Sequence, residues 1–127
     1  MLTHSNVLSE TMKALKADSA LVNMLDSKTV AKGVYHLHMP STYRKPVVLV
    51  TVLSNVPVLN ADDTEILDKV TMRVHIVTKD AQWGAIRKEV IKVMCGLGYR
   101  RTSENEVVDG DEYALVLDFA TQIGADL

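Results

Sequence analysis

The segment KPVVLVTVLSNVPVL, residues 45–59, constrains the fold more than any other part of the chain. Between Pro46 and Ser54 run seven residues, 47–53, of which only Thr51 is polar. A strand with one face in water alternates apolar and polar side chains, because successive side chains point to opposite faces. This strand is apolar on both faces and therefore needs cover on both. Pro46 suits its first position, where a missing N–H costs little.

The segment EILDKVTMRVHIVTKD makes the contrast. Val70, Met72, Val74 and Ile76 alternate with Thr71, Arg73 and His75, which reads as a strand with one dry and one wetter face. Helical spacing appears twice. Ser5 or Asn6 caps a first helix with the stripe Leu8, Met12 and Leu15, and Asp18 caps a short continuation carrying Leu21, Val22 and Leu25. Asp80 caps a second long helix with Trp83, Ile86, Val90, Val93, Met94 and Leu97 on one stripe, stopped by Gly96 and Gly98.

Val30, Val34, Tyr35 and Leu37 suggest a short strand ended by Pro40. SNVPVLNADD, with Asn55, Pro57, Asn60 and the Asp62–Asp63 pair, reads as a long connection. Asp109–Gly110 is a hairpin turn, followed by Tyr113, Leu115, Leu117 and Phe119 alternating with Ala114, Val116 and Asp118. The expected fold is α+β: a mostly antiparallel sheet of four to five strands with two main helices packed on one face, in the order α-β-β-β-α-β-β. At 127 residues the chain fits one domain, residues 1–127.

Two helices cover one face of such a sheet, so the other face of the apolar strand needs another occupant. Leaving Val48, Val50 and Val52 in water would cost roughly 1.5 kcal/mol or more each relative to burial. Either SNVPVLNADD folds back over them or a second subunit does. The expected contact surface is Val48, Val50 and Val52 together with Val56, Pro57, Val58, Leu59, Asp62 and Asp63.

Candidate chemistry is sparse. His36 and His38 share a strand face at metal-ligand spacing, but zinc takes three or four ligands and no third is evident unless His4 or His75 converges on them. Cys95, the sole cysteine, excludes an intrachain disulfide, which suits a reducing compartment. Near the C-terminal end of its helix the dipole disfavours a thiolate, so Cys95 reads as a partly buried small hydrophobe. Glu104, Glu106, Asp109, Asp111 and Glu112 surround the hairpin turn without the spacing of a calcium loop. Arg44–Lys45 and Arg100–Arg101 are surface doublets, and no G-x-S-x-G, Walker A or H-E-x-x-H motif occurs. No catalytic, cofactor-binding or metal-binding residue is assigned, and no enzyme activity is expected.

Charge narrows the partners. Residues 1–79 carry nine basic and seven acidic side chains, residues 80–127 five and nine, so the C-terminal third is the acidic end. A net charge of −2 and 5% aromatic residues disfavour a nucleic-acid binder built on basic patches or stacked bases. The N-terminal MLTHSNVLSETMKALK lacks the apolar core of a signal peptide, and no apolar run approaches the roughly 20 residues that span a bilayer; synthesis and assembly in the cytoplasm are expected.

Taken in order, the helix ending in ADSALVNML, the Gly33-x-Tyr35 stretch, Pro46 with its apolar strand, the long connection, LDKVTMRVHIVTKD running straight into a helix, and the closing strand pair resemble the small tail-completion proteins of long-tailed bacteriophages. That group includes tail-to-head joining and tail-terminator proteins, and the likeness spans nearly the whole chain. It implies a structural virion protein at the head–tail junction, without cofactor, that assembles as a ring (often a hexamer) and contacts the tail tube and head-completion or connector proteins. DNA would pass through the ring without specific binding. The acidic cluster from Glu104 to Glu112 would suit the lumen of such a ring, since like charge keeps DNA sliding. A small dimeric ligand-binding or regulatory module, with the apolar sheet face as its two-fold contact, is the alternative.

Overall fold

The computed structural model describes residues 2–3, 6–40, 42–61 and 64–124. Among them, helices α1 (Val7–Ala17) and α2 (Ser19–Val22) precede strands β1 (Val34–His36), β2 (Val47–Ala61) and β3 (Thr64–Thr78); helix α3 (Gly84–Gly96) then leads to β4 (Arg100–Asp109) and β5 (Glu112–Gly124). The strands form one sheet in the order β1-β2-β3-β5-β4. β1 runs parallel to β2 and the other neighbours pair antiparallel, so the expected α+β fold is found with a mixed sheet.

All three helices pack on one face. Leu15 of α1, Leu21 of α2 and Ile86, Val90 and Met94 of α3 meet the inward row Val70, Met72, Val74 and Ile76 of β3 and Leu115, Leu117 and Phe119 of β5. The clean alternation of β3 thus carries through to the core. In α1 the buried stripe is Val7, Thr11 and Leu15, with Leu8 and Met12 at its flank. Thr11 is tolerated inside because its hydroxyl donates to the Val7 carbonyl at 2.6 Å and meets the Tyr99 hydroxyl at 2.9 Å.

Several expected boundaries shift for identifiable reasons. Asp18 does cap α2, accepting from the Leu21 N–H at 3.1 Å. Asp80 does not cap α3. Its carboxylate accepts from the Gln82 N–H and the Thr78 hydroxyl accepts from the Ala81 N–H, a side-chain-bonded turn with Ala81 at φ 60° that delays the helix to Gly84. β1 is shorter than expected: Val30 lies in a turn, fully exposed, and Leu37 leaves the strand at φ 66°. Gly33 sets that approach, since at φ 79° a Cβ there would lie 2.7 Å from the Leu25 Cβ. The β4–β5 turn is Gly110–Asp111, one residue later than expected, with Asp109 paired to Glu112.

The largest departure is SNVPVLNADD, which is not a covering loop. Its residues 54–61 continue β2, paired with β3 out to Ala61 and Thr64, so β2 and β3 are each 15 residues long. At 3.3–3.4 Å per residue this hairpin is about 50 Å long. β5 pairs with β3 only from Leu67 to Thr78, and β1 pairs with β2 only from Val48 to Val50. The distal half of the hairpin is therefore an arm with a free β2 edge, backed by β5 as far as Leu67 and extending past the sheet only at its tip. Pro57 fits there because β2 has no neighbour on its outer side among the described residues, so no ladder bond is lost.

Candidate functional surfaces

The two faces of β2 are covered by different things. Val48 and Val50 are completely buried in the helix-covered core and half-buried Val52 packs against it, so these valines belong to the protein's own interior and not to a contact surface. The expectation had the faces reversed. Thr51 carried the missing signal: as the only polar residue of the run, it marks the odd-numbered positions as the wetter face.

On that open face the strands build three successive cross-strand rows. At one end Val47, Val77 and Ala114 lie beside Tyr35, Met39 and Tyr43, forming a second small apolar cluster under the segment that joins β1 to β2. Tyr43 locks that segment down: its hydroxyl donates to Glu112 at 2.6 Å, its ring carries the Lys79 ammonium 5.2 Å from the centroid, and burial beside the Glu112 carboxylate pushes the phenol far above its ordinary range. The next row is Leu49, His75 and Val116. Burial holds the His75 imidazole below its usual pKa, reinforced by the nearby Arg73 charge.

The third row is polar. Thr51 pairs with Arg73, whose guanidinium grips Asp118 through two bonds of 2.8 and 3.0 Å, and Ser103 adds a third at 3.0 Å. The Arg73 bonds hold the Asp118 carboxyl below the ordinary carboxylate range. Arg73, Asp118 and Ser103 are bonded to one another, so this row reads as a structural clasp across β3, β5 and β4.

Beyond it the arm exposes apolar side chains. Val56 and Leu59 are 47% and 48% exposed, and Leu53, Pro57 and Val58 are exposed as well. Register shifts fall at Leu53 and Val58. Asp62 and Asp63 lie outside the described residues. Lys69, opposite Val56, lines a cleft of about 330 Å³ with Arg100, Thr121 and Gln122 at the root of the arm.

The acidic cluster does not form one surface. Alternate residues of β4 point to opposite faces, which puts Glu104 and Glu106 on the helix side and Asp109 on the open side. Glu104 is bonded by Arg87 of α3 at 2.9–3.1 Å and by Arg101 at 2.8 Å, and the Arg87 bonds hold its pKa down. Asp109 and Glu112 instead rim a groove of about 410 Å³ floored by Met39, Pro40, Val77, Val107 and Ala114. Asp111 and Glu106 are exposed.

His36 and His38 are exposed, and no group of three or more His, Cys, Asp and Glu side chains able to hold a metal occurs among the described residues; His4 lies outside them. Cys95 is exposed on α3 rather than partly buried. No helix among the described residues is long and apolar enough to cross a membrane.

No protein-family model matches the chain, and no curated protein matches it in sequence. Among solved structures, its fold is similar to that of a chain in the virion of the native gene transfer agent particle. The TM-score is 0.61 with 15% identical residues, over 90% of this chain and 91% of that one.

Proposed function

We propose that the chain, acting as one domain of residues 1–127, is a structural protein of a phage-like virion. In this reading it forms a ring, often of six copies in the family it resembles, at the head–tail junction, where it completes the tail and joins it to the head. The observation that carries the proposal is a fold shared along nine tenths of the chain with a component of a gene transfer agent virion. The order of elements, which resembles that of phage tail-completion proteins, supports the same assignment. The role is binding rather than catalysis. The arm of β2 and β3 supplies contacts to other copies, and a ring surface docks on the tail tube and on a head-completion or connector protein. DNA passes through without specific contacts, with the exposed carboxylates Glu106 and Asp111 available to face it.

Gold labelling with an antibody to the purified chain tests this on particles from cells that carry the gene. Label confined to the neck between head and tail is expected. Label spread over the capsid or along the tube, or particles that lack the chain, would overturn the assignment. Deleting the gene should leave filled heads and separate tails.

A further inference from the structure

We propose that a second copy of this chain is the occupant of the open-face groove, seated there through Val56 and Leu59 of its β2–β3 arm. This deepens the ring reading by naming the contact.

The arm and the groove are complementary in shape and charge. Val56, Leu59 and Lys69 share the open face of the arm, by their pairing with Lys69, Leu67 and Val56 respectively. Both aliphatic side chains lie on the face opposite the helices, and about half of each stays exposed in its own copy. The groove lies at the opposite end of the sheet, beside the β4–β5 turn. Its floor is apolar, Val107 in it is 48% exposed, and its rim carries Asp109 and Glu112. The root of the arm carries Lys69 and Arg100 on one cleft. Seating aliphatic side chains on the floor thus brings ammonium and guanidinium groups toward two carboxylates.

The two patches are different and lie at opposite ends of the molecule, so neither fits itself. Joining arm to groove leaves an unused arm on one copy and an unused groove on its neighbour. That is the heterologous contact from which rings are built when the rotation closes. The outer edges of the sheet favour side-chain seating over strand addition: β2 has Pro57 and register shifts at Leu53 and Val58, and β4 has one between Arg101 and Ser103.

Light scattering on the purified chain, over the full range of concentration at which it stays soluble, tests the contact. Wild type should self-associate, while Val56→Asp with Leu59→Asp (arm) and Val107→Asp (groove) should each be monomeric with unchanged circular dichroism and Tm. An equimolar mixture of the two variants should recover a dimer, because it restores one intact arm–groove pair. Lys69→Glu should weaken association, and Asp109→Lys added to it should restore part of the loss. A wild type monomeric at every soluble concentration, or arm and groove variants that assemble like wild type, would overturn the contact, whatever the gold labelling gives. A wild type that stops at two copies and is disrupted by both variants upholds the contact and removes the ring.

Discussion

The hydroxyls of Thr11 and Tyr99, 88 residues apart in the chain, lie 2.9 Å from each other in the core and tie α1 to the start of β4. The single Thr11 hydroxyl hydrogen goes to the Val7 carbonyl, so Tyr99 is the donor to Thr11. Thr11→Val strands the buried Tyr99 hydroxyl and should cost about 1–3 kcal/mol in urea unfolding. Tyr99→Phe removes the donor and leaves Thr11 bonded to Val7, so it should cost only about 1 kcal/mol. Combining the two should cost less than their sum, since the double variant leaves no orphaned hydroxyl.

Gly33→Ala should destabilise by about 2 kcal/mol or more. The position combines φ 79° with a Cβ that would sit 2.7 Å from the Leu25 Cβ and 3.1 Å from the Asp26 carbonyl oxygen. Both neighbours are fixed, the first by complete burial of Leu25 and the second by its place in the backbone. Thermal unfolding of the variant measures the effect, and an unchanged Tm would mean that the turn before β1 can relax.

Acid should act in two stages. His75 has a folded pKa below its unfolded value of about 6.5, because burial and Arg73 disfavour the imidazolium. The unfolded chain then binds the proton more readily, so the contribution of His75 is full above that pH and is lost as pH falls through the folded pKa. Asp118 is likewise depressed, by Arg73 and Ser103, and its contribution is present above the unfolded carboxylate pKa and lost as pH falls further, through its folded value. Tm measured against pH should start to fall below about 6.5, the unfolded His75 value, and fall again below about 3.9, the unfolded carboxylate value. His75→Leu should flatten the first limb. Asp118→Asn should flatten the second at a cost of about 1 kcal/mol at pH 7, a modest figure because the Arg73 side chain is 36% exposed.

Valines on the two halves of β2 should respond in opposite ways to the same change. Val50→Asp places a carboxylate in a fully buried position under the helices and should cost about 4 kcal/mol or more, enough to unfold the chain. Val58→Asp alters an exposed side chain on the arm and should move Tm by no more than about 0.5 kcal/mol equivalent. Circular dichroism at 25 °C separates the two outcomes directly.

The sequence revealed what periodicity can reveal. The row Val70, Met72, Val74 and Ile76 and the stripe Ile86, Val90 and Met94 were readable because their spacing of two or four matches one element and one buried face. Which face of β2 lies inward was harder to read, since a run apolar on both sides has almost no period. Only Thr51 broke it. The arm was hidden for a different reason: Asn55, Pro57 and Asn60 are turn formers in most settings, and they are accommodated here because one side of the strand has no neighbour to satisfy. The division of the acidic cluster between two faces followed from β4 being a strand through Glu104 and Glu106, with a register shift between Arg101 and Ser103 that spacing alone does not disclose. The groove depends on Met39 and Pro40 crossing over the sheet, a long-range placement with no local signature.

Pro57 has a consequence for the life of the protein before it meets any partner. A long strand with exposed valines and leucines is the template on which chains stack into insoluble cross-β aggregates. Here the outward margin lacks one amide hydrogen at Pro57 and loses straight register on either side of it, so another extended chain cannot zip along it. The same residues therefore leave the apolar side chains of the arm open to a shaped socket while denying its edge to unstructured neighbours.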